Sequence, residues 1–95
     1  MTKQNHKQDM SVVKLKNLGA KTASRLKLVG ITTIGDLNRV GAVAAYCRLK
    51  RLNPSFMSLL GLYAMQAGLM GIHWLDLPEE VKSDLKNTAD KELAK

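Results

Sequence analysis

The sequence predicts an all-α domain, a compact bundle of five to six short helices, and three observations lead there. Hydrophobic residues make up 45% of the 95 positions but aromatic residues only 4%, so Leu, Ala, Val and Met must fill the core, and these favour close-packed helices. Apolar residues recur three and four apart between breaks at Gly and Pro. No segment alternates long enough to make a strand, and Ile31-Thr32-Thr33 is too short.

The elements follow in order. Residues 1–9 are polar and without periodicity, and read as a flexible tail. A helical turn is expected over Ser11 to Leu15, with Ser11 as its N-cap. Asn17-Leu18-Gly19 reads as a tight turn, because Asn and Gly tolerate positive φ. A helix then starts at Ala20, with Ala20, Ala23, Leu26 and Leu28 near one face and Gly30 ending it. Thr33 as N-cap and Asp36 at N3 open the next helix as a capping box, and Ile34, Leu37 and Val40 sit three apart along it. Gly41 breaks it, and Val43 to Leu52 form a further helix with Val43, Ala44, Cys47, Leu49 and Leu52 inward or partly inward.

Asn53-Pro54-Ser55 is a stop and a restart, since proline suits a first helical turn. The next helix, about Ser55 to Met70, is apolar round most of its circumference; interrupted by Ser58, two glycines and Gln66, it reads as a core helix and not a membrane span. A last helix starts near Pro78, with Glu79 and Glu80 where its dipole favours negative charge, and is expected to fray after Asn87. Trp74, Leu75 and Leu77 are expected to close the core. The chain is thus read as one domain over 10–90, with a loose end at 91–95.

Charge is unevenly spread. Met1 to Asn53 hold eleven Lys and Arg against Asp9 and Asp36, whereas Pro54 to Lys95 hold four against six acids, for a net charge of +7. Such a front half calls for an anionic partner: nucleic acid, an acidic protein face or a membrane surface. A single cysteine, Cys47, cannot make an internal disulfide, and the polar start carries no signal peptide, so a cytoplasmic location is expected. His73 and Asp76 have no second metal ligand or nucleophile beside them, and neither enzyme activity, cofactor, metal nor small-molecule substrate is expected.

The stretch Leu15 to Leu26, LKNLGAKTASRL, resembles the second half of a helix-hairpin-helix, with Asn17 in place of the first glycine. A tight turn feeding a helix leaves the first N–H groups unpaired and aimed outward, where a phosphate oxygen fits. Lys16, Asn17, Gly19, Ala20, Lys21, Arg25 and Lys27 are the candidate phosphate contacts, and they would bind without reading sequence. The same turn could equally serve as a connector in a domain that binds protein. Gly30 is read as a packing turn that drops Ile31 into the core. Gly61, Ala64, Gly68 and Gly71 form a small-residue row that lets another helix approach, from the same chain or from a second copy in a homodimer.

Asn17-Leu18-Gly19, Gly30-Ile31, Asp36-Leu37, Gly41-Ala42 with Tyr46, Leu49-Lys50, Gly71-Ile72-His73-Trp74 and Leu77-Pro78 together resemble the C-terminal domain of the TfoX/Sxy competence-regulator family, from about Leu15 to Leu85. The resemblance implies an all-helical domain of helix-hairpin-helix type. It also implies a part in switching on genes for DNA uptake, alongside a cyclic-AMP receptor transcription factor. Members usually carry a further N-terminal α/β domain, which is not among these 95 residues. Two functions stay open: a DNA-contacting regulatory module, or an adaptor for a transcription factor or polymerase subunit.

Overall fold

Six α-helices form among the described residues, 6–95, of the computed structural model: α1 His6–Asp9, α2 Ala20–Lys27, α3 Ile34–Val40, α4 Ala42–Leu52, α5 Leu59–Met70 and α6 Glu79–Leu93. Single 3₁₀ turns lie at Val12–Lys14, Pro54–Phe56 and Trp74–Asp76. The all-α bundle is therefore as the composition predicts. Its radius of gyration is 12.9 Å, close to the roughly 12 Å of a compact chain this long.

Local chemistry sets most of the boundaries. The Ser11 hydroxyl accepts from the Val13 N–H at 3.2 Å and starts the first 3₁₀ turn. Thr33 and Asp36 make the reciprocal capping box of α3, with the Asp36 N–H donating to Thr33 Oγ1 and the Thr33 N–H to Asp36 Oδ2, both at 3.1 Å. Gly41, at φ 88, is at once the end of α3 and the start of α4, and this left-handed conformation reverses the chain in one residue. Ile34 N–H bonds to Met10 O at 2.8 Å and Val12 N–H to Thr32 O at 3.0 Å, which fastens the N-terminal segment to the start of α3.

α4 is the central helix and touches α2, α3, α5, α6 and the Pro54–Phe56 turn. Its own Leu49 is fully buried, as are Leu26, Ile31, Leu37, Leu62 and Met65 of the neighbouring segments, each contributing about 2 kcal/mol of transfer free energy. No helix among the described residues is long and apolar enough to cross a membrane.

The structure departs from the sequence reading in four places. The expected loose tail lies outside the described residues up to residue 5; from His6 the chain makes a helical turn instead, and Asn38 Nδ2 donates to Gln8 Oε1 at 3.2 Å to hold it on α3. The helix expected from Ser55 to Met70 is split. Asn53 Oδ1 takes the Ser55 N–H at 3.0 Å and Ser58 Oγ takes the Gly61 N–H at 3.2 Å, so two caps start two turns with extended, buried Met57 between them. α6 does not fray after Asn87: Ala89 is buried, and Arg51 Nη2 of α4 donates to the Glu92 carbonyl at 2.6 Å. Finally, Leu28, Leu52 and Leu75, expected inward, are 63%, 54% and 65% exposed. Leu28 caps α2 and turns outward, while Ile31, whose N–H bonds back to Leu26 O at 3.0 Å, fills the core position.

Candidate nucleic-acid interface

The turn before α2 is fixed from beneath. Leu15 and Leu18 are buried against Gly68 of α5, where an alanine Cβ would stand 2.7 Å from the Lys16 carbonyl oxygen. Asn17 adopts φ 74 and turns its carboxamide inward. Its Nδ2 donates to Ile72 O at 2.9 Å and to Ala64 O at 3.5 Å, and its Oδ1 accepts the Trp74 N–H at 3.1 Å. The side chain grouped with the phosphate contacts in the sequence is thus committed to joining the turn to the far end of α5.

With the turn so held, α2 begins on extended Gly19, with no side chain capping it. The first helical bond is Ala23 N–H to Gly19 O at 3.0 Å. The N–H groups of Gly19, Ala20, Lys21 and Thr22 meet no acceptor among the described residues, and nothing lies within 4 Å of where a Cβ on Gly19 would stand. Four open amides at the positive end of a helix dipole attract an anion. Exposed Lys14 and Lys16 precede this mouth, and exposed Lys21 stands in its first turn.

The remaining candidates part company with it. Arg25 is half-buried: its Nη1 donates to Phe56 O at 3.0 Å and its guanidinium lies 5.2 Å over the Phe56 ring. Lys27 is six positions beyond Lys21, about 9 Å along the axis and a third of a turn round it, beside Asp9, Ser11 and Thr33. The structure therefore gathers Lys16, Gly19, Ala20 and Lys21, places Arg25 on a flanking groove, and leaves Lys27 on another side.

Carboxylates sit elsewhere. Among the described residues the ion pairs are Arg39–Asp36, Lys82–Glu79, Lys86–Asp90 and Lys95–Glu92, three of them along the last helix and its end. Lys14, Lys16 and Lys21 have no such partner, so the charge imbalance of the sequence survives folding. Asp36 is held down to a pKa of about 2, first by the Thr32 and then by the Thr33 backbone N–H. Burial pushes the Cys47 thiol up, which favours its protonated form. His73 Nδ1 accepts the Leu75 N–H at 3.1 Å, a capping role.

The small-residue row is used within the chain. Gly68 carries the Leu15–Leu18 turn, Gly61 faces the Met57 side chain, Ala64 offers its carbonyl to Asn17, and Gly71 ends α5. The sequence had suggested a helix as its partner; a turn and a loop occupy it instead.

Comparison with known proteins agrees with this architecture. A crystal structure of an uncharacterized protein from Listeria monocytogenes, in a triclinic form, is similar with a TM-score of 0.78 and 30% identity, over 85% of this chain and 91% of that one. A tetragonal form of a protein of unknown function from the same organism matches with a TM-score of 0.77 and 30% identity, over 86% and 99%. No curated protein matches the chain. A family model described as the TfoX C-terminal domain matches residues 8–89, nearly the whole chain, and the protein belongs to that family.

Proposed function

We propose that this domain is a non-catalytic regulatory module that works in the cytoplasm, holds nucleic-acid phosphates at the mouth of α2 without reading sequence, and so supports activation of DNA-uptake genes. The observation that carries the reading is the set of open amides from Gly19 to Thr22 with Lys16 and Lys21 adjoining them, neither of which has a carboxylate partner among the described residues. Amides and ammonium groups at a backbone-accessible mouth suit phosphate oxygens, and they offer little to distinguish one base from another.

The test is anisotropy of a labelled random-sequence duplex, titrated at low and moderate salt. Wild type binds at low salt and loses affinity steeply as salt rises. Lys16→Gln/Lys21→Gln binds more weakly with a shallower salt dependence, and both side chains are exposed enough to leave the fold intact. Absence of binding at low salt would refute the reading.

Leu28 favours a second reading. It is 63% exposed at the end of the same helix, an apolar residue beside cations, as an acidic protein partner such as a transcription factor or polymerase subunit would meet it. Capture of such a partner that survives high salt and is lost in Leu28→Ser would support this adaptor role. A second copy bound through the same face would instead appear as a dimer in sedimentation.

A further inference from the structure

Beside the mouth of α2 runs a groove of about 410 Å³, between α2, α4 and the loop that leads into α5. Its walls include Thr22 and Arg25, Lys50, Ser55, Phe56 and Ser58. Every ionisable side chain on these walls is cationic, and neither Arg25 nor Lys50 has an ion-pair partner among the described residues.

Both cations are held in place with their charge intact. Arg25 donates to Phe56 O at 3.0 Å and Lys50 Nζ to Pro54 O at 3.1 Å, one hydrogen bond each. A guanidinium has five N–H groups and an ammonium three, so donors remain on both. Arg25 also lies over Phe56 and Lys50 lies 5.8 Å over the Tyr46 ring, contacts that position a cation without neutralising it. Fastening the loop would need only a donor. Two cations facing one space repel each other until an anion enters.

We infer that this groove takes a second phosphodiester of the duplex held at the α2 mouth, with Arg25 and Lys50 as its charged contacts. Thr22 belongs both to the first turn of α2 and to the groove wall, so the two sites form one strip. The inference rests on the function proposed above, and it adds Lys50 and the Ser58 end of α5 to the contact surface.

The experiment compares duplex anisotropy across salt for wild type, Lys50→Gln, Lys50→Arg, Ser58→Asp, Lys21→Gln and the control Lys91→Gln at an exposed position of α6, with melting curves for each. Aspartate still caps a helix, so Ser58→Asp puts a carboxylate in the groove without loosening α5. Lys50→Gln lowers the slope of log K against log salt by about one, as loss of one phosphate contact requires. Ser58→Asp weakens binding several-fold with its melting temperature kept, Lys50→Arg restores the slope, and Lys91→Gln matches wild type. Wild-type affinity and slope in Lys50→Gln and Ser58→Asp, with loss in Lys21→Gln, would overturn the groove and leave the mouth standing. The reverse pattern would uphold the groove and refute the mouth. Wild type that ignores the duplex, or prefers anionic phosphatidylglycerol vesicles to it, would overturn both.

Discussion

Asn17 adopts φ 74 while its carboxamide reaches Ile72 O, Ala64 O and the Trp74 N–H across more than forty positions of sequence. Asparagine tolerates the left-handed region better than most residues and also brings donors and an acceptor; glycine brings only the conformation. Asn17→Ala should therefore destabilise the protein by about 3 kcal/mol in urea unfolding, and Asn17→Gly by about half that. Equal losses would mean that the left-handed backbone adds no cost for alanine, and no loss in Asn17→Gly would mean that the hydrogen bonds contribute nothing. Asp36 gives a pH prediction. Its carboxylate is held at a pKa of about 2 against the ordinary 3.8 by the Thr32 and Thr33 N–H groups, so the folded state binds this proton less readily than the unfolded chain. That stabilisation is whole above about pH 4 and fades as pH falls toward 2. The melting temperature of Asp36→Asn should lie below wild type at neutral pH and converge with it across this interval; a constant gap would contradict the assignment.

Among the elements, α5 makes two close approaches of different kinds. A Cβ at 68 meets the backbone oxygen of Lys16 at 2.7 Å, whereas one at 61 meets the sulfur of Met57, the movable end of a side chain. Gly68→Ala should cost about 1–3 kcal/mol and shift the turn that carries Lys16. Gly61→Ala should cost far less, and the two melting curves compare them. α6 is docked through Ala89, whose carbonyl lies 3.8 Å from Cys47 Sγ, and through Arg51 on Glu92 O. Native Cys47 should thus resist iodoacetamide, and a chain ending at Asn87 should react rapidly; equal rates would show that the last turns of α6 shield nothing. Starts and stops were legible in the sequence wherever the chemistry is local, as at Ser11, Thr33 with Asp36, Gly30 and Gly41. The persistence of α6 was not, because Arg51 and Glu92 meet only once the chain has folded. Nor was the break at Met57, since Ser58 signals a cap only when the preceding turn is known to end.

For the molecule as a whole, folding separates charge. α6 pairs Glu79 and Asp90 with its own Lys82 and Lys86, while Lys16 and Lys21 at the start of α2 have no ion pair among the described residues. The mouth at Gly19 to Lys21 was readable from sequence because turn, glycine and cation are contiguous. The inward role of Asn17 and the latch of Arg25 on Phe56 were not, for both depend on residues thirty or more positions away. The central claim is that a polyanion lodges on those open amides. Amide chemical-shift mapping with a random-sequence duplex at low salt tests it most directly. The account predicts the largest shifts at Gly19, Ala20, Lys21 and Thr22, reversed by added salt; no shift there, or shifts confined to Trp74–Asp76 and α6, would contradict it.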